Sequence, residues 1–318
     1  MHLIAKIVIT IVIIVIVVFL VLCINFNLFR YRRLQILDNI FELDRNYTSN
    51  RKRISCSHKV VITFTTIPDR LNLIYPTIAS LFDQSVCVDD IILNVPRISR
   101  KGQPYIIPEW MASLTNLTIN WVETDEGPAT KLLPTLRKER SANGVINTTR
   151  IIVVDDDNIY HQRTIEKLLQ DFEYHNNSST PTAITKFGVI LDSDRTIPAF
   201  TSFRRCITLF QCQQEVDLLQ GCFGFVVLSS FFPDAALKIE NRPDFAVSVD
   251  DIWFSCWLKL NGVRLFNTGH AFWTLPLFNL GEVDKTTKLV DGENAGLVRD
   301  HKTLEWFHKN NGYKSLKG

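Results

Sequence analysis

The chain has 318 residues, 46% of them hydrophobic and 21% charged, with 35 Lys and Arg against 33 Asp and Glu. This is apolar material for one large domain or two small ones, and it excludes a chain that is disordered throughout. The near balance of charge gives no support to a nucleic-acid or acidic-polymer binder, and with 13 Gly and 12 Pro the chain is neither collagen-like nor low-complexity.

Ile7 to Leu22 is an apolar run broken only by Thr10, and it continues more loosely to Phe29. As a helix this stretch would span about 35 Å, enough for a hydrocarbon core of about 30 Å. No small-residue cleavage site follows it, and a core helix is rarely apolar all round, so residues 1–29 read as a short stub and an uncleaved single-pass anchor. Arg30, Arg32 and Arg33 follow the span, and by the positive-inside rule they favour a cytoplasmic body. Sequons at Asn46, Asn116, Asn147 and the Asn176/Asn177 pair argue for a lumenal one. So do six cysteines, at 56, 87, 206, 212, 222 and 256, which could form three disulfides in an oxidising compartment. The expectation is a type II protein of the Golgi or endoplasmic reticulum membrane with a lumenal body.

Residues 30–58 are polar and rich in Arg and Asn, with a short helix possible near 34–43, and read as a stem. From Lys59 apolar strand runs alternate with helical periods, which predicts a single α/β domain over 59–318 with a mostly parallel sheet. Strands are expected at 60–65, 90–95, 117–122 and 150–154, with helices near 71–82, 130–140 and 163–174. Farther on, 187–191 and 218–228 look extended, and 252–260 reads as a helix that Gly262 stops.

The chemistry concentrates in two acidic clusters. Asp155, Asp156 and Asp157 emerge from the buried run Ile151-Ile-Val-Val, and ligands of open α/β sheets bind beyond the carboxyl ends of strands. Three adjacent carboxylates repel unless a cation neutralises them, and hard oxygen donors suit Mg²⁺ or Mn²⁺ together with phosphate oxygens. The competing reading is a solvated acidic loop that caps the next helix. The second cluster, Asp250-Asp251 after Ser248-Val249, opens an amphipathic helix. Capping and helix-dipole complementation alone would account for it, while a functional reading aims a carboxylate at a reacting centre.

In this setting the chain resembles GT-A-type nucleotide-sugar glycosyltransferases, and within them most resembles the exostosin-type C-terminal domain, with a likeness to family-2 enzymes. Thr63-Phe-Thr-Thr-Ile-Pro-Asp69-Arg70 is similar to the first strand and its Arg-bearing turn, and Ile152-Val-Val-Asp155-Asp156-Asp157 to the DXD strand. Leu219-Gln-Gly221-Cys-Phe-Gly-Phe225 is similar to the small-residue strand of the sugar pocket, and Val249-Asp250-Asp251-Ile252 to the acidic-pair helix. These pieces span about 60–265.

The resemblance implies a Rossmann-like GT-A domain, a nucleotide-sugar donor, a glycan or glycoprotein acceptor and Mn²⁺ or Mg²⁺. It implies Asp157 and Asp155 as metal ligands, with Asp155 and Asp156 also at the donor and Thr65 and Arg70 facing the nucleotide. Gly221 would line the sugar pocket. Lys131 could reach the diphosphate, with a solvated first-turn lysine as the alternative. Asp250 or Asp251 would act at the sugar, as a base if the reaction inverts or as a stabiliser of an oxocarbenium-like centre if it retains; the exostosin likeness leans to retention. His301 would be a C-terminal metal ligand, with a surface histidine as the alternative. The stretch 96–149 is longer than this family leads one to expect, and beyond about 270 the likeness fades, which leaves donor and acceptor open. A haloacid-dehalogenase-like phosphatase also places Asp-x-Asp after a buried strand. That fold usually begins with this strand, whereas three strand–helix units precede it here, and Ile159 stands where Thr or Val is expected. An inactive anchored glycan-binding protein is the third reading.

Overall fold

The computed structural model describes residues 9–17, 28–48, 52–53, 58–143, 148–176, 180–191, 213–238, 240, 242–269 and 298–315. β1 (Val60–Thr65), β2 (Asp90–Pro96), β3 (Thr118–Val122) and β4 (Arg150–Val153) lie where the apolar runs place them. β1, β2 and β4 are nearly wholly buried and rich in β-branched and aliphatic residues, as parallel strands covered on both faces require. β5 (Thr182–Thr185), β6 (Gln214–Glu215), β7 (Phe225–Val227) and β8 (Arg264–Asn267) complete an eight-stranded sheet in the order β3-β2-β1-β4-β7-β5-β8-β6. β3, β2, β1 and β4 are mutually parallel, β7 runs antiparallel to β4 and β5, β8 is parallel to β5, and β6 is antiparallel at the edge. The result is a mixed α/β fold with a mostly parallel sheet. The chain moves outward from β1 through β2 to β3 and then resumes on the other side of β1 with β4. That reversal opens a crevice beyond the carboxyl ends of β1 and β4.

α1 (Leu28–Leu34) and α2 (Asp38–Asn46) precede the sheet. α3 (Tyr75–Phe82) starts with Pro76 in its first turn and buries every residue from Pro76 to Phe82. α4 (Leu133–Asn143) and α5 (Thr164–His175) follow, and α5 buries Ile165, Leu168, Leu169 and Phe172, the face its periodicity predicts. α6 (Asp250–Leu260) ends before Gly262, whose φ of 75° suits glycine at a helix stop. α7 (Val298–Asn311) packs against α6.

Several expectations need correction or qualification. Within 187–191 only Gly188–Val189 forms a strand, paired antiparallel with Leu218–Leu219 in a separate two-stranded sheet, while the main sheet takes β5 just before it. The run 218–228 is broken by a 3-10 turn at Gly221–Phe223 before β7. Gly224, at φ 88°, makes that break, and an added Cβ there would meet Leu168 at 3.2 Å.

The segment read as a stem buries Leu34, Ile40, Leu43 and Tyr47 in the main core. Asp44 accepts from the backbone N–H groups of Thr115 and Asn116, both at 2.9 Å, and Arg30 pairs with Asp83 at 2.6 Å. Residues 9–17 are helical, with Ile9 and Ile11 to Val17 exposed. Among the described residues no helix is long and apolar enough to cross a membrane, and 1–8 and 18–27 of the expected anchor lie outside them.

Cys222 and Cys256 are free thiols, so three disulfides are not built from the six cysteines. Cys56, Cys206 and Cys212 lie outside the described residues. Trp253 and Trp257, spaced one helical turn apart, are core residues.

Candidate functional site

The acidic turn leaves β4 at the crevice. Val154 still bonds back to β1, its N–H donating to Thr63 O at 3.2 Å, and the chain then bends through Asp155 to Asp157. Tyr160, buried beneath the bend, accepts from Asp155 N–H at 2.8 Å through its hydroxyl and donates to Asp155 O at 3.2 Å. The three carboxylates part ways there. Asp156 turns inward: Thr66 Oγ1 donates to it at 2.6 Å and Arg70 Nη1 at 2.8 Å, while Thr77 donates to its carbonyl at 2.7 Å. Asp157 is the most open, its side chain 38% exposed, with Asn158 donating to it at 3.0 Å and the Arg70 guanidinium an ion-pair partner at 3.8 Å. Burial, then the charges of Asp156 and Asp155, push Asp157 up to about 7. Asp155 faces the opposite wall.

Lys131 forms that meeting point. It closes the 3-10 turn Gly127–Lys131, and its carbonyl accepts from Thr63 Oγ1 at 2.6 Å, which fixes the turn to β1. Its side chain is buried, with Nζ 2.9 Å from Asp155 Oδ1, 2.8 Å from Asp250 Oδ2 and 3.5 Å from Asp251 Oδ1. Burial would lower this ammonium, yet Asp155, Asp250 and Asp251 hold it well above the usual lysine range. Lys131 is thus not a solvated helix lysine.

The second cluster does not cap its helix. No side-chain capping bond forms at Val249; the two carboxylates of the first turn of α6 point to Lys131 instead. Gly221 N–H donates to Asp251 Oδ2 at 3.2 Å, and Ser255 ties Leu219 N–H to Asp251 O. Burial pushes Asp251 up to about 7, with Asp250 and Asp155 adding to the shift and Lys131 opposing it. Gly221 leaves room for this packing: a Cβ there would sit 2.7 Å from Lys131 Nζ and 2.9 Å from Asp155 Oδ1, and those side-chain tips would have to shift.

Of the residues singled out by sequence, Arg70, Asp156 and Asp157 form one set and Lys131, Asp155, Gly221, Asp250 and Asp251 a second, joined through the backbone of the acidic turn. Thr65 joins neither, because its hydroxyl donates to Asn94 O on β2 at 2.7 Å; its neighbour Thr66 takes that place. His301 stands exposed on α7, and among the described residues no hydrogen bond or ion pair joins it to the carboxylates. Thr66, Thr77 and Tyr160 are supports that the sequence gives no sign of beyond their proximity to the two motifs.

Among the described residues no three His, Cys, Asp or Glu side chains converge as a metal site. Asp155 is engaged by Lys131 and Asp156 by Arg70. Asp157 is the most open of the three carboxylates, its side chain 38% exposed, and it is the one a hard divalent ion would meet first.

No protein-family model and no curated protein matches this chain. Among solved structures it is similar to a mycobacterial protein, at 12% identity over 72% of this chain and 69% of that one, with a TM-score of 0.36. It is also similar to S. aureus TarS 1-349, at 16% identity over 65% of this chain and 57% of that chain, with a TM-score of 0.37. A longer S. aureus TarS chain matches at 16% identity over 66% of this chain, with a TM-score of 0.34, and this chain spans 35% of its length.

Proposed function

We propose that this chain is a GT-A-type glycosyltransferase that moves a hexosyl or N-acetylhexosaminyl group from a nucleotide-diphosphate sugar, a UDP-sugar, to a glycan or glycoprotein acceptor. The observation that carries the reading is the junction of both acidic clusters on Lys131, at the crevice where the strand order reverses. Glycosyl transfer builds negative charge on the leaving diphosphate, and cations fixed in a poorly hydrated site stabilise it. Arg70 and Lys131 are this chain's own cations there. A Mn²⁺ or Mg²⁺ ion, when bound by Asp157 with Asp155, supplies Lewis-acid neutralisation of the same diphosphate.

Asp251 is the carboxylate placed for the sugar. It is 30% exposed and titrates near neutral pH, where a group can both accept and return a proton. In an inverting reaction it takes the proton of the acceptor hydroxyl; in a retaining one, which the exostosin-type likeness favours, it stabilises the oxocarbenium-like centre. Asp250, more buried and paired to Lys131, is a positioning residue.

The setting we propose is a single-pass anchor over 1–29 with a lumenal body in the Golgi or endoplasmic reticulum. The apolar run, the outward apolar side chains of 9–17 and the sequons support it. Calorimetric titration of UDP into the full chain in detergent, with Mn²⁺ present, tests the nucleotide site. Binding that weakens about tenfold in Arg70→Gln, the loss of one charge-assisted hydrogen bond, is expected. A folded chain that binds no nucleotide contradicts the reading.

A further inference from the structure

We propose that a strip of exposed aliphatic side chains, running from α1 to the rim of the crevice, rests on the bilayer, so that the acceptor is a sugar carried on a membrane lipid. The docking stands on the surface itself; the acceptor class rests on the glycosyltransferase reading.

Three observations carry it. First, the strip is apolar and continuous. Ile36 is 54% exposed, Leu73 41%, Ile106 75% and Ile98 61%. Contacts between their neighbours line them up. Tyr75 donates through its hydroxyl to Gln35 O at 3.0 Å, and its ring meets Trp110 edge-on at 6.3 Å. Tyr105, next to Ile106 in sequence, donates its N–H to Arg97 O at 3.1 Å, next to Ile98. Large aliphatic side chains grouped on a surface mark a protein or membrane contact.

Second, the bilayer is the partner at hand. The apolar run of the sequence reaches Phe29, and Arg30 already belongs to the body. Its Nε lies 2.6 Å from Asp83 Oδ2, its Nη1 donates to Tyr160 O at 3.0 Å, and its side chain is 8% exposed. Run and domain therefore meet without a spacer, and Ile36 follows Phe29 by about two helical turns. The described part of the run does not cover the strip, since Ile9 and Ile11 to Val17 are themselves exposed. Arg32 and Arg33 stand exposed at one end of the strip, and Arg100 and Lys101 at the other. There their heads can reach lipid phosphates while the aliphatic side chains enter the interface. The exposed acids along it, Asp38, Asp69 and Glu109, are spread between them.

Third, the strip is fastened to the site at both ends. Tyr105 donates through its hydroxyl to Thr66 O at 3.0 Å, and Thr66 holds Asp156 at 2.6 Å. Tyr160, whose carbonyl receives Arg30, accepts Asp155 N–H on its hydroxyl at 2.8 Å. A body resting on this face holds the crevice at the height of the headgroups. An acceptor met there is one that the bilayer presents.

The experiment reconstitutes the full chain in phosphatidylcholine vesicles that contain phosphatidylglycerol and a lipid-borne nitroxide quencher. Ile106→Cys carries an environment-sensitive dye, read against labelled wild type. Tyr174→Cys is the control, a residue 77% exposed near the end of α5, which leads into β5 from the pole opposite the crevice. The dye at 106 should shift to the blue and be quenched, and the dye at 174 should do neither. An unquenched dye at 106 in the folded protein, or equal quenching at both positions, overturns the docking and the acceptor class with it. Sugars are then offered on a lipid in the same vesicles and free in solution, to the wild type and to the Ile98→Asp/Ile106→Asp double variant. Tethering alone raises the local concentration of a lipid-borne acceptor, so the comparison is between two proteins that both keep the apolar run. The variant should lose about tenfold in transfer to the lipid-borne sugar and nothing in nucleotide release to water. Equal transfer by both proteins, or transfer to neither form of acceptor, overturns the acceptor class. Absence of nucleotide release from any donor is the separate failure of the transferase reading, and the dye still decides the docking.

Discussion

Arg70 Nη1 lies 2.8 Å from Asp156 Oδ1, so the middle carboxylate of the acidic turn is a fastening and only its neighbours face the crevice. Both groups are largely buried, with side chains 16% and 10% exposed. Asp156→Ala strands the Arg70 guanidinium and removes the acceptor of Thr66. Its cost should be about 3 kcal/mol in chemical denaturation, in the range for breaking a buried pair from one side. A loss below 1 kcal/mol would show that the turn is held by other contacts.

The α1–α2 segment should be indispensable to the domain. Leu34, Ile40, Leu43 and Tyr47 are at most 4% exposed, and each such side chain contributes about 1.5–3 kcal/mol of burial. Asp44 adds the acceptors for Thr115 and Asn116. A fragment beginning at residue 59 should be insoluble or lack a cooperative thermal transition, while one beginning at residue 28 should melt cooperatively. Equal stability of the two fragments would contradict the packing described.

His161 should give stability a pH dependence of its own. Burial, then the charges of Arg30 and Arg163, lower its imidazole from 6.5 to about 4, and Nδ1 accepts Arg163 N–H at 3.2 Å, which requires the neutral ring. A base depressed in the folded state contributes stability that is complete above pH 6.5 and is lost as pH falls towards 4. Because the ring is partly exposed, about 1–2 kcal/mol is expected after solvent screening. In His161→Asn the side-chain carbonyl can take over the N–H without titrating. Denaturation of both proteins between pH 7 and pH 4.5 should show the wild type losing more; parallel curves would remove His161 as the cause.

The parallel half of the sheet was legible because β1, β2 and β4 are long apolar, β-branched runs and the acidic turn follows one of them directly. β8 was not: Arg-Leu-Phe-Asn is short and half polar, and its strand character comes from pairing with β5 and β6. A short helix near 34–43 was legible and α2 overlaps it, but the Arg and Asn around Leu34, Ile40, Leu43 and Tyr47 made the segment read as a stem and hid its packing into the core. α7 was hidden likewise, since Leu304 and Phe307 are buried within a polar stretch. In the site, the motifs named the carboxylates but not their partner. Lys131 read as reaching a diphosphate or as solvated, and only the fold places Asp155, Asp250 and Asp251 around it. The one trace of that arrangement in the sequence is Gly221, and a glycine beside Cys222 and Phe223 has too many ordinary explanations to be read that way.

The central claim is sugar transfer from a nucleotide donor, and turnover tests it most directly. The full chain in detergent would be presented with a panel of nucleotide sugars, with Mn²⁺, with Mg²⁺ and with chelator, and nucleotide release would be followed beside Asp157→Asn. Slow release from one sugar, dependent on the divalent ion and at least about tenfold lower in Asp157→Asn, is predicted. No release from any donor by the folded chain, or release indifferent to Asp157, would contradict the account.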